Sequence, residues 1–262
     1  MPNILTKTLW DSRRSLAGFA VGTALVGTMY AGFYPQVAGG AMGQAVEGFS
    51  PALREALNME DIGSAAGYLG SSVFGIIVPL IAVIYGIATG TRAIAGDEEA
   101  GYLDLLLAHP ISRTRLLLHR CAALAIGAFI LAGLVLLAML AVRPGAQLDT
   151  VTVGQFAAQC AALALLATVF GSIAITIGAA TGRRAAALAG SAAVGVLAYA
   201  ANTFATQIGA DDLRYASPFH YYIGNEPLRN GFQWADLGIL AAAIAVLALI
   251  ATAVFNRRDL TS

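Results

Sequence analysis

Six stretches of this chain run without a single Asp, Glu, Lys or Arg: Ser15 to Val46, Ile62 to Thr91, Cys121 to Val142, Val151 to Gly182, Ala185 to Ala210 and Leu237 to Asn256. Each reaches the roughly 20 residues with which an α-helix crosses a ~30 Å hydrocarbon core. Backbone amides in lipid have no water to bind, so apolar runs of this length must close their hydrogen bonds as helices. A membrane barrel would instead be written in alternating segments of about ten residues. Only 11% of the 262 residues are charged, against roughly a quarter in a soluble domain, which excludes soluble globular and disordered chains together. The expected fold is all-α: a polytopic membrane protein with transmembrane helices at 16–34, 68–91, 117–142, 154–180, 185–207 and 236–256, in one domain over 1–262.

The first apolar run, Leu16 to Tyr34, exceeds the 7–15 residues of a signal h-region, so it reads as an uncleaved span. Upstream, residues 3–15 fit a short amphipathic helix on the inner membrane surface. Lys7, Asp11 and Arg14 lie on one face and Leu5, Leu9, Ser12 and Leu16 on another, with Trp10 suited to the headgroup level. A basic flank that only sets topology fits the same residues. With the N-terminus inside, the cytoplasmic set is Lys7, Arg13, Arg14, Arg92, Arg113, Arg115, Arg120, Arg183, Arg184, Arg257 and Arg258. The outer set is Arg54, Arg143, Arg214 and Arg229. Eleven against four satisfies the positive-inside rule and puts both termini in the cytoplasm.

Several chemistries are missing. No Asp, Glu, Lys, Arg or His falls within the six windows, whereas proton- and voltage-driven machines place such groups at mid-membrane. An ion-coupled secondary transporter can use backbone carbonyls at broken helices, so that class stays open. The histidines His109, His119 and His220 have no HExxH spacing, no GxSxG occurs, and Cys121 and Cys160 suit small core residues. Catalytic and metal-binding residues are therefore not expected. The sole Lys, Lys7, follows "MPNILT" rather than a Gly-rich turn, so a P-loop cannot be built and ATP would have to be handled by another chain. Fifteen basic and fifteen acidic residues cancel, leaving no case for nucleic acid.

On the outer side, "SPALREALNME" is a candidate short helix capped by Ser50. "GADDLRYASPFHYYIGNEPLRNGFQW" is rich in aromatics. An interfacial belt and a re-entrant helical cap both fit it. Small-xxx-small pairs, Gly18/Gly22 and Gly86/Gly90, are candidate helix contacts.

The most informative segment is "TRAIAGDEEAGYLDLLLAHPISRTRLLLHR", between the second and third spans on the inner side. Asp97, Glu98 and Glu99 suit the positive N-terminal end of a helix, with Asp97 as its cap. Leu103, Leu106, Leu107 and Pro110 then form an apolar stripe over two turns, and His109 precedes a proline, which disfavours continuation. Ser112 is placed to cap the next helix, with Arg113, Arg115 and Arg120 snorkelling at its start. An acidic entry is poorly suited to an anionic inner leaflet, so the expected place for the leucines is a cytoplasmic partner protein.

The same residues carry a resemblance. "DEEAGYLDLLLAHPISRTRLLLHR" resembles the signature of type-2 ATP-binding-cassette (ABC) export permeases: two acids, a Gly, a run of leucines, then Pro-(Val/Ile)-Ser-Arg. Glu98, Glu99, Gly101, Leu103, Leu105, Leu106, Leu107, Pro110, Ser112 and Arg113 match it position by position. The family often has a basic residue in place of Ala100 and Thr in place of Tyr102. "SPFHYYIGNEPLRNG" is similar to the outer loop of such permeases. The resemblance implies a plasma-membrane exporter subunit working as a pair of permeases, homodimeric or heterodimeric, with two copies of a separate ATPase. ATP and magnesium belong to that ATPase, and no cofactor to this chain. The segment 97–110 is implied to be the coupling helix, seated in a groove of the ATPase. Spans rich in Ala, Gly, Val, Ser and Thr suit a hydrophobic or amphipathic cargo, of drug, antibiotic or lipid type. The alternatives are an ion-coupled secondary transporter and a non-transporting membrane anchor for an ATPase.

Overall fold

The structure, a computed structural model, describes residues 4–38, 63–103, 112–205, 207 and 209–258. Regular structure among them is helical, and six helices are long and apolar enough to cross a membrane. They are α1 (Ile4–Ala31), α2 (the continuous run Ala65–Glu99), α3 (Arg113–Val142), α4 (Val153–Thr181), α5 (Arg184–Phe204) and α6 (Trp234–Arg257).

α1 corrects one expectation. Residues 3–15 were expected as a separate surface helix, but Ile4–Ala31 is a single helix of 28 residues, about 42 Å long. Nothing in it forces a break: it contains no proline, and the Ser12 hydroxyl bonds back to the Thr8 and Leu9 carbonyls within the helix. Trp10 stays exposed, with the Arg13 guanidinium 3.9 Å above its ring.

α2 is helical throughout but widens twice, into π-helical turns at Leu69–Ile77 and Arg92–Gly96. Pro79 explains the first. It has no N–H to give the preceding turn, and the ladder shifts ahead of it, with the Val78 amide donating to Val73 O.

α4 is the central helix. It is buried over most of its length, whereas little of α5 and α6 is buried. Thr152 and Gln155 form a capping box at its start, and Gly182, at φ 64°, ends it. α2 crosses α4 at glycines: a Cβ on Gly86 would lie 2.1 Å from Ala167 O, and one on Gly90 2.1 Å from Gly171 O. Of the two small-residue pairs, Gly86/Gly90 is thus used inside this chain, while Gly18 and Gly22 meet open space.

After α5 the chain forms a 3₁₀ turn, Asp211–Ala216, and two short helices, Pro218–Ile223 and Pro227–Asn230. The Ser217 hydroxyl accepts from the Phe219 amide and donates to Ala198 O at 2.7 Å. Phe219 packs against Phe170 and Tyr199, and the fully buried Tyr222 hydroxyl donates to Phe74 O at 2.9 Å. Phe170 lies about 25 Å along α4 from Val153, so Pro218–Ile223 dips well into the bundle. The aromatics divide accordingly. Phe219 and Tyr222 belong to a re-entrant cap, and exposed Tyr215, Phe232 and Trp234 to a rim. At this end Arg143 pairs with Asp149, and the Gln155 amide donates to Arg229 O.

Candidate functional site

At the opposite end, the termini of six helices meet. Asp97, Glu98 and Glu99 form the last α-helical turn of α2, and Gly101, at φ 70°, follows them. The expected helix start at Asp97 is therefore replaced by a continuation of α2; Tyr102 and Leu103 are helical again after Gly101, and the rest of the expected helix, 104–110, lies outside the described residues. Asp97 has helical backbone angles and caps nothing, because the chain enters it already helical from the π-turn. Three carboxylates at a helix C-terminus oppose the macrodipole, and each one answers this with a partner on another helix.

Asp97 pairs with Arg120 of α3. Glu98 accepts, through both oxygens, from Nη2 of Arg258, the residue after α6. Glu99 accepts from the backbone amide of Arg184, the first residue of α5, at 2.8 Å. Charge-assisted pairs held largely out of water are the strong members of their class, and Glu98 and Arg258 are 15% and 18% exposed. One acidic turn thus holds the starts of α3 and α5 and the end of α6.

Arg258 does more than neutralise Glu98. Its Nη1 donates to Ala179 O at 3.1 Å and, more weakly, to Gly178 O at 3.4 Å. These carbonyls belong to the last turn of α4, where the dipole favours a cation. Gly182 makes the space, since a Cβ there would lie 2.6 Å from Glu98 Oε1 and 2.8 Å from Arg258 Nη2.

The far side of the segment is anchored on the same residue. Ser112 caps α3 as expected, accepting from the Arg115 amide. Arg113 does not snorkel: its Nη1 donates to Arg258 O at 2.7 Å and Phe255 O at 3.2 Å, closing the end of α6. Asn256 adds a bond from Nδ2 to the Thr114 hydroxyl.

Of the residues matching the sequence signature, Glu98, Glu99, Ser112 and Arg113 are brought together here, and Gly101 makes the turn. Leu103 is 1% exposed and packs in the core of this chain. It is therefore not part of an outward stripe and instead seats the segment on the bundle. Leu105, Leu106, Leu107 and Pro110 lie outside the described residues. Sequence reasoning missed Arg258, Gly182 and the Arg184 amide. The only signals were "TGRR" and "NRR", which read as topology-setting charge.

A model of the family described as "ABC-2 family transporter protein" matches residues 2–260. No curated protein matches the chain.

Proposed function

The chain belongs to the ABC-2 transporter family, and from that premise we propose that it is the permease subunit of an ATP-driven exporter. In this reading two permeases work with two copies of a separate ATPase, which binds ATP and magnesium. The segment 97–110 is the contact through which nucleotide-driven closure of the ATPase pair switches the permease between inward- and outward-open states. The cargo is hydrophobic or amphipathic, and the termini face the cytoplasm of a plasma membrane.

One observation carries the coupling role. The segment is fixed at both ends, by Glu98 in its first turn and by Arg113 just after it, to helices that are distant in sequence. A contact can shift a conformational equilibrium only if its free energy differs between the two states. A segment with anchored ends meets that condition, because moving it must move the helices it is tied to. The grouping of the starts of α1, α3 and α5 with the ends of α2, α4 and α6 at the basic end supports the orientation.

Purification of the tagged chain is expected to bring down a soluble ATPase and to support ATP-dependent efflux in reconstituted vesicles. Leu106→Asp is expected to abolish that efflux while the permease still inserts. Unchanged assembly and efflux in that variant would remove the coupling role from the segment. Efflux driven by an ion gradient without ATP would mark a secondary transporter, and hydrolysis with no cargo movement would mark an anchor.

A further inference from the structure

We infer that Arg258 is a positioning residue that delivers movement of the 99–112 segment to α4; the inference rests on the permease reading above. Three connections meet at this residue. Glu98, entering the segment, sits in its guanidinium, and Arg113, leaving it, donates to its carbonyl. The guanidinium's other nitrogen donates to Ala179 O and Gly178 O. The remaining anchors do not reach α4: Asp97 holds Arg120 of α3, and Glu99 holds the Arg184 amide of α5. Arg258 therefore joins both ends of the segment to the central helix.

α4 is the helix through which such a displacement spreads furthest. It packs against α2, α3, α5, α6 and the re-entrant cap, and close-packed interiors transmit strain instead of absorbing it. The joint itself has little slack, since Gly182 leaves no room for a Cβ between Glu98 and the guanidinium. A planar fork of donors is what allows one side chain to hold a carboxylate and two carbonyls together; a lysine ammonium is a single point and cannot span them.

The test uses the full chain in complex with its co-purified ATPase. Spin labels at Gly154→Cys, on the outer end of α4, and Leu137→Cys, on α3, report their separation with and without ATP and vanadate, in a Cys121→Ala/Cys160→Ala background. The readout needs no knowledge of the cargo. In the otherwise wild-type complex the distance distribution is expected to shift with nucleotide. In Arg258→Ala the shifted fraction is expected to fall about tenfold while ATP hydrolysis persists.

The conservative change Arg258→Lys keeps the ion pair with Glu98 but cannot reach the α4 carbonyls at the same time. It is expected to keep the fold and the ATPase while also losing the shift, and it serves if Arg258→Ala does not fold. An undiminished shift in either variant overturns the inference, as does a wild-type complex whose α4 separation ignores nucleotide. Failure of the wild-type chain to retain any ATPase would instead overturn the permease reading.

Discussion

Glu98 and Arg258 are 160 residues apart in the chain, yet the carboxylate of one rests in the guanidinium of the other, over the last turn of α4. The pair joins the end of the second span to the end of the sixth, and removing either member leaves the other charge largely buried and unpaired. Glu98→Ala is therefore expected to destabilise the protein by about 2 kcal/mol, less than the figure for fully buried pairs. Thermal unfolding in detergent checks this. An unchanged melting temperature would mean that water replaces the carboxylate at no cost.

Gly182 and Gly209 both have positive φ, at 64° and 68°, but only Gly182 is crowded. Alanine at either position costs about 1–2 kcal/mol for the left-handed backbone. At Gly182 a further 1–3 kcal/mol is expected from pushing apart Glu98 and Arg258. The measurement is the difference between the melting temperatures of Gly182→Ala and Gly209→Ala.

The glycines of α1 and α2 make the opposite pair of predictions. Gly86→Ala and Gly90→Ala would drive a methyl group into the α4 backbone and are expected to lower the yield of folded, monodisperse protein sharply. Gly18→Ala and Gly22→Ala meet nothing within this chain and are expected to raise helix stability by up to about 1 kcal/mol. Loss of assembly in the second pair, with the monomer fold intact, would show that another subunit covers that face.

His220 gives the cap a pH dependence. Burial, and after it the charge of Arg214, hold its imidazole below the ordinary value of 6.5, with Asp236 opposing. Folded protein therefore binds this proton less readily than the unfolded chain. Its contribution is complete above the unfolded value and is lost as pH falls through 6.5 and then through the lower folded value. Protease access to residues 210–233 is expected to increase on acidification from pH 7.5 to about 5, and His220→Gln should flatten that response. A response unaltered by the substitution would assign it elsewhere.

The membrane class, the helix count and the Ser112 cap were legible because each rests on local chemistry. An uncharged run of sufficient length can only be a helix in lipid, and a serine before a helix satisfies an orphan amide three residues on. The acidic turn was legible as a feature but not in its role. A pattern of Asp, Glu, Glu after glycine marks a helix start in isolation, and here the π-turn at Arg92–Gly96 carries α2 through it.

By itself, the sequence determined six helices long and apolar enough to cross a membrane, since hydrophobic length acts residue by residue along the chain. Tertiary structure alone decided which cation meets which carboxylate, and that Leu103 is packed inward. It also decided that Gly86 and Gly182 are required for closeness. Those outcomes depend on helices tens to hundreds of residues apart being brought within a few ångströms. That distance is set by the packing of α2 on α4, and no local pattern records it.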